Sequence, residues 1–77
     1  MRVEFDGGVL VTAFVAPGSE EEARYRQALE GQVELVTSAS SLWTVATVLV
    51  ERLGWDPVTA EHAVAHIARA AADVSEG

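Results

Sequence analysis

Two short β-favouring runs, Arg2–Phe5 and Gln32–Ser38, are each followed by a long stretch with the spacing of helices. That alternation constrains the fold more than anything else in the chain. In the first run Val3 and Phe5 flank Glu4. In the second, Val33 and Leu35 fall on one face and Glu34 and Val36 on the other, the period-two pattern of a strand. Two strands, near residues 2–5 and 32–37, separated by helices must run parallel, because a parallel pair needs a crossover connection. Such crossovers are right-handed. The expected order is β-α-α-β-α-α, with a small parallel sheet of two strands and about four helices, in one α/β domain spanning residues 1–77.

The helices have local start and stop signals. Asp6 follows the first strand, and its short carboxylate can accept the free N–H groups of a helix beginning near Gly8. Val9, Leu10, Ala13 and Phe14 recur at helical spacing, and Ala16-Pro17-Gly18 ends the run. Ser19-Glu20-Glu21-Glu22 is a capping-box start, with three acids at the positive end of the helix dipole. Tyr25, Ala28 and Leu29 share one side of that helix, and Gly31 closes it. The next segment, Leu42–Gly54, is rich in β-branched residues. It is read as a helix because Leu42, Val45, Ala46, Leu49 and Leu53 follow helical spacing, with Ser40 or Ser41 as its cap. In the last helix Pro57 lies near the first turn. Ala60, Val64, Ile67, Ala71 and Val74 form its inward stripe, and Glu61, His62, Arg69 and Asp73 face water.

Charge excludes one class of function. Twelve acids against five basic residues, all arginine, give a net charge of −7. The arginines are scattered and form no basic stripe. Nucleic-acid affinity comes largely from neutralising phosphates, so RNA binding by the isolated chain is not expected. Without cysteine, disulfides and thiolate metal sites are excluded. No apolar run is long enough for a membrane span, and no signal-peptide pattern stands at the N-terminus. A cytoplasmic protein is the expectation.

Several pieces occur together in a recognisable order: "DGGVLV" (Asp6–Val11) after a strand, "APG", "ALEG" (Ala28–Gly31) and "ELVTS" (Glu34–Ser38). In this order the chain resembles the N-terminal half of a PIN domain, in particular the toxin components of VapC-type toxin–antitoxin systems. The resemblance runs from Arg2 to about Val74. It implies an α/β fold and descent from Mg- or Mn-dependent ribonucleases, with Asp6 matching the family's first metal-binding acid. The family's nearby Asn falls at Gly8. Its second acid, in a Glu-Leu pair, falls at about Thr44 and Val45. Its later acids have no counterpart.

A hard cation that cleaves a phosphodiester is held by several oxygens, including two or more carboxylates. Asp6 alone is too few. It is therefore either the remnant of a metal site or simply a helix cap, with no bound cofactor expected. The leading reading is a degenerate, toxin-ribonuclease-like domain that acts through protein association. One alternative is a Mg- or Mn-dependent endoribonuclease whose missing acids come from another chain. A second is an antitoxin-like regulatory binder.

Other residues invite chemistry and have simpler explanations. His62 and His66 lie on one helix face, but no third ligand is apparent, so they are read as solvated. The Gly7-Gly8 pair lacks the further glycine of a phosphate loop. Ser38, Ser40 and Ser41 have no histidine and orienting acid nearby, and capping accounts for Ser40 or Ser41. Trp43, Thr47 and Val50 share a helix face beside the inward stripe. They either pack as core or anchor a subunit interface. The first strand, with Val3 and Phe5, would present an unpaired edge. A homo-oligomer follows as the expected state, with a two-fold dimer the leading form and a toxin–antitoxin partner protein a further possibility.

Overall fold

The computed structural model describes residues 1–76. Three strands and four α-helices follow one another as β1 (Arg2–Glu4), α1 (Gly7–Val15), α2 (Glu20–Leu29), β2 (Glu34–Ser38), α3 (Ala39–Thr47), α4 (Pro57–Ala70) and β3 (Asp73–Ser75). A π-helical segment, Val48–Arg52, continues α3. The sheet is parallel throughout, in the order β1-β2-β3.

That order decides the layering. Two right-handed crossovers that step in the same direction put all their helices on one face of the sheet. Burial follows this rule. Leu35 and Thr37 of β2 are buried, and so is Phe5 just after β1. Arg2, Glu4, Glu34 and Asp73, on the opposite face, are exposed. Leu10, Val45, Leu49 and Ile67 come from the helices to meet Phe5 and Leu35 in one core. The buried hydroxyl of Thr37 donates to the Phe5 carbonyl at 2.8 Å, which satisfies it and ties the end of β1 to β2.

The expected order of elements holds from β1 through α4. The sheet is larger than expected, with three strands and not two. The last helix ends at Ala70, so Val74 lies on β3 and not on a helical stripe. The cause is tertiary. The Ala72 N–H donates to the Leu35 carbonyl at 2.8 Å, and the chain leaves the helix to pair with the open side of β2. No glycine or proline marks the place.

Two details of α3 also differ. Its cap is Ser38, whose Oγ accepts the Ser41 N–H at 3.0 Å. Neither Ser40 nor Ser41 takes that role, because strand passes into helix with no loop between. At the other end the Leu53 N–H donates to the Val48 carbonyl, five residues back. A π-turn holds one residue more than an α-turn and rotates the following side chains off the stripe. Leu53 is consequently 46% exposed, and Trp55 and Val50 pack against the core instead.

Candidate functional site

The C-terminal ends of parallel strands are where open α/β sheets bind ligands, and Asp6 stands at such an end. It is the N-cap of α1, and its Oδ1 accepts the Val9 N–H at 2.9 Å. The two glycines after it differ. Gly7 is buried where α1 crosses α3. A Cβ there would lie 2.9 Å from both Cβ and Cγ2 of Thr44 and 3.2 Å from the Ser41 carbonyl oxygen. Gly8 is exposed, and its Cβ would meet only Asp6 Oδ1, at 3.4 Å. The junction is thus a glycine-dependent helix crossing beside a cap.

Three hydroxyls near this crossing, those of Ser38, Ser41 and Thr44, are engaged within the chain. Thr44 Oγ1 donates to the Ser40 carbonyl at 3.0 Å. Ser38 Oγ donates to Ser41 Oγ, also at 3.0 Å. Among the described residues no group of three or more His, Asp or Glu side chains is placed to hold a metal ion. Mg²⁺ and Mn²⁺ take several oxygen ligands, of which the Asp6 carboxylate would supply at most two.

The histidines are separated by what they touch. His62 is exposed. His66 is exposed as well, and its Nδ1 lies 2.8 Å from the Tyr25 hydroxyl. Phe14 completes an aromatic cluster, its ring centroid 5.4 Å from Tyr25 and 6.4 Å from His66. The cluster lines a surface cleft of about 270 Å³ with Ala13, Leu29 and the Glu22–Arg26 ion pair. Burial pushes the Tyr25 phenol up to about 12. Arg26 and the Gly18 N–H hold the Glu22 carboxyl below its usual value. Tyr25 and His66 are 41 residues apart, and no local pattern in the sequence signals their meeting.

The four residues singled out for an interface separate as well. Trp43 is 70% exposed. Val50 is half-buried against the core, so the two do not form one exposed stripe. The Phe5 side chain is 1% exposed and lies inside the chain's own core. Val3 is half-buried and lines a second cleft, of about 320 Å³, with Met1, Phe5, Arg24, Gln27 and Val33. That cleft lies at β1, which pairs only with β2 among the described residues. No helix is long and apolar enough to cross a membrane among the described residues. Comparisons with protein-family models, with curated proteins and with solved structures give no match.

Proposed function

We propose that this chain is a degenerate PIN-like domain, related to toxin ribonucleases, that has no nuclease activity of its own and acts by associating with protein, first of all with itself. The observation that carries the non-catalytic half is the state of Asp6. Its carboxylate is used as a helix cap, and the position that the resemblance assigns to a second acid holds Thr44, packed on Gly7. The association half draws on the exposed Trp43 indole and the open edge of β1. Exposed aromatics and unpaired strand edges are both features that interfaces use.

The test has two arms. Incubated with mixed RNA and Mg²⁺ or Mn²⁺, the purified chain leaves the RNA intact. Cleavage that Asp6→Ala abolishes would refute the non-catalytic reading and favour a metal-dependent endoribonuclease completed by a second chain. In sedimentation across the micromolar range the chain runs as a dimer. A monomer mass independent of concentration refutes the self-association reading.

A further inference from the structure

We infer that a second copy of this chain pairs with β1 antiparallel about a two-fold axis at Val3, joining two sheets into one of six strands. The inference rests on the self-association reading and specifies its surface, register and charge pattern.

The backbone fixes which groups are free. The Glu34 N–H donates to the Met1 carbonyl, and the Phe5 N–H donates to the Val36 carbonyl, both at 2.8 Å. Residues 1, 3 and 5 therefore turn their main-chain groups toward β2. By the two-residue alternation of a strand, Arg2 and Glu4 turn theirs to the open edge. An antiparallel partner forms its close hydrogen-bonded pairs between residues with outward main-chain groups. With Val3 opposite the partner's Val3, Arg2 faces the partner's Glu4, and Glu4 faces the partner's Arg2. Each of those pairs exchanges two main-chain bonds, and Val3 takes the non-bonded position between them.

The same register matches the charges. Arg2 and Glu4 lie on the exposed face of the sheet, so the two cross-chain pairs bring opposite charges together. Among the described residues Arg2 already meets Glu34 at 3.3 Å, whereas Glu4 makes no ion pair. The second copy gives Glu4 its missing cation. On the other face Met1, 85% exposed, comes opposite the partner's Phe5, beside the cleft walled by Val3 and Val33. The other open edge, β3, has no such match. Its strand Asp73-Val74-Ser75 carries an acid and no cation. A pairing of three residues with one apolar anchor from each side is a small interface, so the dimer is reversible.

Charge reversal tests the register without touching the core. Arg2→Glu leaves two acids on the strand, and Glu4→Arg leaves two cations. Each variant alone sets like charges opposite each other twice, and its dimer dissociation constant in sedimentation rises about tenfold or more. Mixed one to one, the two variants restore association as a heterodimer. Circular dichroism checks that both remain folded, as expected for exposed sites. Val3→Cys supplies a second readout, since the chain has no cysteine of its own. Opposed residues in the non-bonded position come close enough for a disulfide, so mild oxidation links Val3→Cys into dimers and leaves Val58→Cys, at an exposed site on α4, unlinked. A native dimer that neither charge variant weakens, or a mixture that fails to associate, overturns the strand pairing and leaves self-association standing through another surface. A native chain that stays monomeric overturns both.

Discussion

Gly7 and Gly8 are adjacent, share a helix turn, and should respond to alanine with opposite signs. At Gly7 the added methyl would sit 2.9 Å from two carbons of Thr44 and 3.2 Å from a backbone oxygen of α3. Carbon atoms prefer a separation of about 3.5–4.0 Å, so α1 and α3 must part by several tenths of an ångström. Removing the threonine methyl gives no full escape, because Thr44 Cβ is itself one of the clashing atoms. Overpacking of this kind costs about 1–3 kcal/mol. Against it stands the better helix propensity of alanine, at most about 1 kcal/mol. The net cost is about 0–2 kcal/mol, at its upper end a large part of the roughly 4–12 kcal/mol that a chain of this length commands. In a domain of this size that upper end lowers Tm by about 8–16 °C. At Gly8 only the favourable term remains, and Gly8→Ala gains a few tenths to about 1 kcal/mol. Thermal and urea unfolding of both variants, followed by circular dichroism, measure the difference. If Gly7→Ala proves as stabilising as Gly8→Ala, the close crossing of α1 and α3 is not real.

Asp6→Ala removes one cap bond and costs about 0.5–2 kcal/mol in urea unfolding, whereas Asp6→Asn, which keeps an accepting oxygen, costs less; equal losses would mean that the carboxylate does something other than cap. Tyr25 makes stability depend on pH in the alkaline range: its phenol titrates near 10 when unfolded and at about 12 when folded. The folded state binds its proton more tightly, so that contribution is complete below pH 10 and is lost as pH rises toward 12. Tyr25→Phe flattens the stability profile in that window, and an unchanged profile refutes the assignment.

Where local chemistry governs the chain, the sequence was readable. Asp6 and Ser19 cap helices, Pro57 opens the last one, and Gly18, Gly31 and Gly54 take the positive φ that ends them. Such signals act over a few residues and are written in residue type. The third strand was not readable. Ala71, Ala72 and Val74 continue a helical pattern, and only the free side of β2 draws them away. The π-turn was hidden for a related reason, since its extra residue answers to the packing of Trp55 and Val50 and not to a local motif. At the candidate site the cap was legible in Asp6, but the burial of Gly7 on Thr44 required the two helices to be placed. The Tyr25–His66 pair lay beyond reach, because nothing near either residue encodes the other.

The middle place of β2 sets which amides of the sheet are slowest to exchange with deuterium. Among the described residues it is the one strand with a hydrogen-bonded neighbour on each side, so its amides open only when a neighbour leaves or the whole domain unfolds. Edge groups exchange through local fraying at much lower free energy. Protection should therefore be greatest at Leu35, Val36 and Thr37 and fall outward through β1 and β3. Arg2 and Glu4 are the sensitive reporters in this gradient. Their outward N–H groups exchange freely in a lone chain and slow as protein concentration rises if a second copy closes the edge, so the exchange rates of two amides register the assembly state of the molecule.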